Sequence, residues 1–219
     1  MSKARSHQSA ARKREIRVAK KGSARDAIGE LRKGHEAFVL TYGQFSLIDA
    51  LCAVLEQTGP ADVVMSTWTA ANAHLEKAAK LLANAEIRSM RFLVDRSFLT
   101  RQPAYCETMR RLFGDACIRT ARTHAKFMVI QNDEWSLAVR TSMNLNENPR
   151  MENLEISDDP ALCAFLLQVA EDVFEDQDPG TFDGELPLLA SLDNVGRAGS
   201  VRAGRVGPVK TVRVGPRTS

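Results

Sequence analysis

A chain of 219 residues suits one ordinary domain with tails and is short for two. Its 44% hydrophobic content supports a real core, but no apolar run approaches the roughly 18 residues of a membrane span, so membrane insertion is not expected. Residues 1–33 carry eleven Lys or Arg against three acids and residues 196–219 six against none, so at a net charge of +3 the stretch between them carries −11. Two basic arms around an acidic body attract a polyanion, nucleic acid being the commonest; the plainer reading is solvated tails. The basic N-terminus lacks the apolar stretch of a signal peptide, and a cytoplasmic location is the default expectation.

In chain order, residues 1–30 read as a basic tail with a partial helix over residues 10–21. Residues 31–185 form the domain. Within it, residues 36–42 (EAFVLTY) read as a strand. Residues 45–57 have helical apolar spacing and stop at Gly59-Pro60. Residues 62–67 are a second strand, 72–85 a helix, 90–94 a third strand and 103–113 a helix closed by Gly114. Short strands follow at 117–120, 125–131 and 136–140, and a helix at 159–174 opens with Pro160 at its first position. Strands alternating with helices of about 12 residues imply an α/β fold, a layered α/β/α sandwich with a mixed, mainly parallel sheet. Residues 186–219, rich in Gly, Arg, Val and Pro, read as a disordered basic tail. Cys52, Cys106, Cys117 and Cys163 each lie in or beside apolar runs and form no CxxC pair, which suits buried small hydrophobes rather than disulfides or zinc.

The chemistry concentrates in residues 123–156, THAKFMVIQNDEWSLAVRTSMNLNENPRMENLEI. His124 and Lys126 are two apart at the start of an apolar strand, so period two sends both to one face. Ser142 and Asn144 close the next strand in the same alternation. A hairpin would converge an imidazole nucleophile, an ammonium, a hydroxyl and an amide on one phosphate.

His124-Ala125-Lys126, then Thr141-Ser142-Met143-Asn144, then Asn153-Leu154-Glu155, resembles the HKD motif of the phospholipase D superfamily, over about 32 residues. Two positions depart from it: Gln131 stands where the motif has Asp, and Thr141 where it has Gly. The resemblance implies a metal-independent phosphodiesterase needing no cofactor, with His124 forming a phosphohistidine. Lys126 and Asn144 would hold the phosphoryl oxygens, Ser142 would add a hydrogen bond, and Glu155 would orient the ring. The family uses two motifs per site; with no second HxK at His7, His35 or His74, it implies a homodimer sharing two copies of His124.

Basic termini and the lack of a membrane-binding stretch favour nucleic acid as substrate over lipid. Arg122 and Arg140, with Arg119 nearby, are candidate backbone-phosphate contacts, against the plainer reading of solvated strand ends. Trp68, at a strand end, is a candidate base-stacking residue and Ser66 a candidate pocket residue. The alternatives are a catalytically eroded module of the same fold that binds nucleic acid or regulates, and a lipid phosphodiesterase at a membrane surface.

Overall fold

Short runs of Val, Ile, Leu and Met, each stopped by a glycine or a polar turn, build the sheet. The computed structural model describes residues 8, 10–146 and 149–180. The elements are β1 (Lys13–Ala19), α1 (Ala24–Ile28), β2 (His35–Thr41), α2 (Leu47–Thr58), β3 (Ala61–Thr67), α3 (Asn72–Ala83) and β4 (Ile87–Asp95). There follow α4 (Ser97–Arg101), α5 (Pro103–Phe113), β5 (Ile118–Ala121), β6 (Phe127–Gln131), β7 (Ser136–Thr141), β8 (Glu152–Asp158) and α6 (Pro160–Asp176).

The eight strands form one sheet in the order β1-β2-β8-β7-β6-β3-β4-β5. The pairs β1–β2, β3–β4 and β4–β5 are parallel and the other four antiparallel, so only β6 and β8 run against the rest. Helices cover both faces, giving the expected α/β/α layering. On one face α1, α2, α3 and α5 pack over Val39, Met65, Phe92, Met128 and Val139. On the other, α6 lays Cys163, Leu166 and Ala170 over Val64, Leu93, Phe127, Val129 and Ala138.

Local chemistry sets the helix ends. Ser46 and Asp49 cap α2 reciprocally, and Gly59, at φ 75°, closes it with its N–H on the Leu55 carbonyl. Asp159 caps α6 by accepting from the Leu162 N–H. The four cysteines are thiols rather than disulfides, and burial pushes the Cys163 thiol up to about 12. No helix among the described residues is long and apolar enough to cross a membrane.

The N-terminal region departs from expectation. Where a partial helix was expected over residues 10–21, β1 runs parallel to β2 as the edge strand. Its alternation explains this. Arg14, Ile16 and Val18 share one face, and the β-branched pair favours extended backbone. The short α1 follows, burying Ala24, Ala27 and Ile28. Several basic residues of this stretch are spent on the fold itself. Arg12 pairs with Asp159 at 2.8 Å, Arg14 with Glu36, and Arg17 reaches the Ile28 carbonyl at 2.5 Å. Ile16 and Val18 remain 73% and 58% exposed. The expected C-terminal basic tail, residues 186–219, lies outside the described residues.

Candidate active site

At one end of the sheet β3 and β7 finish and β6 begins, with Phe127 paired to Ser66 on one side and Arg140 on the other. Residues 122–126 leave the sheet there as an irregular segment rather than as the start of a strand. Four hydrogen bonds fix it. The Thr123 N–H donates to Asp95 Oδ2 at 3.0 Å, and the Ala125 N–H to Thr123 Oγ1 at 3.0 Å. Ser66 Oγ donates to the Ala125 carbonyl at 2.8 Å, and the Thr141 N–H to the Lys126 carbonyl at 3.2 Å.

The segment exposes His124 and half-buries Lys126. Lys126 folds back so that Nζ lies 3.2 Å from His124 Nδ1 and 3.2 Å from the His124 carbonyl. An ammonium can only donate, so Nδ1 accepts and a neutral ring carries its proton on Nε2. Partial burial pulls the Lys126 pKa below its ordinary value, an effect that the charge of Glu152 opposes. Glu152 also accepts a short hydrogen bond from the Ser142 hydroxyl, which in turn accepts from the Asn153 N–H at 2.9 Å. Ser142 and Glu152 therefore stand as a unit beside the lysine.

Trp68, directly after β3, packs against the imidazole with ring centroids 5.4 Å apart, tilted by 59°. The Arg101 guanidinium covers the indole at 3.8 Å and donates to the Trp68 carbonyl at 3.3 Å. Asn144 lies in the segment that crosses the end of β3, where the Leu145 N–H donates to the Thr69 carbonyl at 3.2 Å and the Ala71 N–H to the Leu145 carbonyl at 2.9 Å. Its Oδ1 is buried without a hydrogen-bond partner among the described residues.

His124, Lys126, Ser142 and Trp68 are thus drawn together, and Asn144 is carried to the same end of the sheet. Other expected residues stand elsewhere. Ser66 is 1% exposed and holds the His124 segment from beneath, which removes it from the substrate-contacting set. Glu155 sits on the α6 face of the sheet, bound to Arg140 at 2.5 Å, so its carboxylate is engaged away from the imidazole. Arg140 is committed to that pair, with Glu36 3.8 Å away. Arg119 is buried, donating to the carbonyls of Asp115, Ala116 and Ile118 and stacking on Phe174 at 4.6 Å. Arg122 is exposed at the start of the histidine segment. Two residues of this end, Arg101 and Asp95, had no sequence signal; Glu152 had a faint one, since it directly precedes Asn153 of the motif.

No family model matches the chain, and no curated protein matches it in sequence. Solved structures resemble it weakly. Nuc from Salmonella typhimurium, a phospholipase D family member, shares 13% identity over 66% of this chain and 98% of its own, with a TM-score of 0.45. NucT from Helicobacter pylori shares 14% over 64% of this chain and 97% of its own, with a TM-score of 0.46. Phosphatidylserine synthase from Haemophilus influenzae Rd KW20 shares 15% over 74% of this chain and 45% of its own, with a TM-score of 0.43. At such values the activities of those proteins do not transfer to this chain.

Proposed function

We propose that the chain is a phospholipase D-like, metal-independent phosphodiesterase acting on nucleic acid through His124. The observation that carries this reading is the exposed imidazole with Lys126 Nζ 3.2 Å from its Nδ1, at a sheet end that also gathers Ser142, Glu152 and Trp68. A phosphoryl group entering there meets a half-buried ammonium and a nucleophile side by side. Its oxygens draw Lys126 off the ring; solvent then carries the ring proton from Nε2 to the freed Nδ1, and the exposed Nε2 lone pair attacks phosphorus.

A P–N bond forms as the P–O bond to the leaving alcohol breaks. A second imidazole supplies the proton to that alcohol, then takes one from the water that hydrolyses the phosphohistidine. With one His-x-Lys pair in the chain, the second imidazole is His124 of another copy in a homodimer. Lys126 and Asn144 hold the non-bridging oxygens. Glu152, through Ser142 and its charge on Lys126, takes the supporting place expected for Glu155. The Gln131 departure is remote from this chemistry, since Gln131 is exposed at the opposite end of β6.

A gel assay on DNA and RNA with EDTA present, comparing the native chain with His124→Ala, tests the reading. Cleavage that survives EDTA and disappears in the variant is the expected result; absence of cleavage in the native chain overturns it. A second reading, a non-catalytic nucleic-acid-binding module, is favoured by one feature: a lysine, not a carboxylate, contacts Nδ1. Binding without cleavage in both proteins would select it.

A further inference from the structure

The three segments that bring Trp68, Arg101 and Asn144 to the histidine continue, one or two residues on, into a pocket. Thr69, Gln102 and Asn146 line it together with Ala71, His74 and Tyr105, around a cavity of about 410 Å³. The catalytic reading assigns it no role. Its walls mix small apolar groups with the rings of His74 and Tyr105, and its polar groups are not all satisfied. Asn146 Oδ1 is buried with no hydrogen-bond partner among the described residues. The Gln102 Oε1 accepts from the Thr69 hydroxyl, which leaves the two N–H groups of that amide as donors.

The start of α3 also opens here, with no side-chain cap at Ala71. A helix start alone would suit an anion, but a buried carbonyl oxygen beside it repels one and requires a donor. A flat group offering a donor and an acceptor on one edge and an aromatic face fits all of these walls, and a nucleobase is such a group.

We infer that this pocket seats one unpaired base of the nucleotide next to the scissile phosphate, so that the substrate is single-stranded or locally unpaired nucleic acid. The inference rests on the phosphodiesterase reading and names its substrate class. A base in a duplex already uses its donor and acceptor edge and is stacked on both faces, so it enters only after leaving the stack, which an unpaired base does at no such cost. Asn146 accepts from the base, Gln102 donates to it, and Tyr105 offers its ring. Trp68 and Arg101 stand between this pocket and His124, where the sugar and phosphate would pass.

The test is fluorescence anisotropy with the full chain carrying His124→Ala, which prevents turnover during titration. The probes are a labelled single strand, the same strand made abasic throughout, and its blunt duplex. The abasic strand presents the same phosphates, so electrostatic attraction cancels in the comparison. The intact single strand should bind about tenfold tighter than the abasic one, as the loss of a stacked base implies. Asn146→Leu and Tyr105→Ala should each bring the two strands together while leaving abasic binding unchanged. Equal affinity of intact and abasic strands in the His124→Ala chain overturns the inference, as does a difference that survives both pocket substitutions. Cleavage of bis(4-nitrophenyl) phosphate by the native chain, which carries no base, separates the two claims. Cleavage without base preference keeps the catalytic reading and removes the pocket; base preference without cleavage does the reverse.

Discussion

Two clusters of charge lie along the β7–β8 hairpin, and they differ in how far their charges are matched. On the α6 face, Arg14, Glu36, Arg140 and Glu155 close a network. Arg14 Nε meets Glu36 at 2.5 Å, Arg140 meets Glu155 at 2.5 Å, and Glu36 is 6% exposed. At the sheet end, Lys126 is half-buried beside a histidine, with the charge of Glu152 acting on it. The first cluster spends its charges internally and serves the fold. The second leaves an ammonium partly desolvated and turned onto a ring that can release it, the condition of a group waiting for an anion.

The largest expected effect that would break this contrast is at the histidine. His124→Ala should lower diester turnover by at least about a thousandfold, measured on bis(4-nitrophenyl) phosphate with EDTA present. Lys126→Met should lower kcat by about a hundredfold or more, as removal of one preorganised donor does. Turnover untouched by either substitution would remove the phosphate site. Next comes the pair of glutamates. Glu152→Gln should reduce kcat by about tenfold, whereas Glu155→Gln should leave it within about twofold. The reverse order would return the orienting role to Glu155.

Arg101→Ala should raise KM several-fold with little change in kcat, the pattern of a group that binds but takes no part in the chemical step. The pH dependence is smaller and has a sign in each cluster. Partial burial lowers the Lys126 pKa, so its charge is lost below the ordinary lysine value of about 10.4. The alkaline limb of kcat/KM should therefore fall early and move upward in Lys126→Arg. In the matched cluster, burial and the neighbouring Glu36 raise the Glu155 pKa. A raised carboxyl favours the fold below the ordinary glutamate range, and that contribution is lost as pH climbs through the raised value. Thermal melts of Glu155→Gln should show a flatter decline over this window than those of the native chain.

Sequence made the inner strands legible because each is a short apolar run with a clear stop, as in residues 62–67 and 125–131, although the second begins only at Phe127. It read β1 as helix because charged residues interrupt Ile16 and Val18, and an edge strand has no buried second face to betray it. It passed over α1, which is only five residues long. The His-x-Lys pair was readable since both residues lie within one local segment. The Arg101–Trp68 stack was not, because 33 residues separate the partners and only the fold joins them. The two glutamates show the limit most clearly. Glu152 and Glu155 are three apart on one strand, so they face opposite sides of the sheet. Which side meets the histidine depends on a register that composition does not record.

The way β1 is fastened has a practical consequence for anyone trimming the chain. Its start is pinned to the cap of the last helix by Arg12 and Asp159, and its body lies against His35–Thr41. A version begun at residue 31 would leave Glu36 buried without the guanidinium of Arg14 and bare the backbone of β2 along its whole length. Such an unprotected margin is a template for sticking to other molecules, so aggregation of the shortened protein would reflect a missing strand rather than a missing tail.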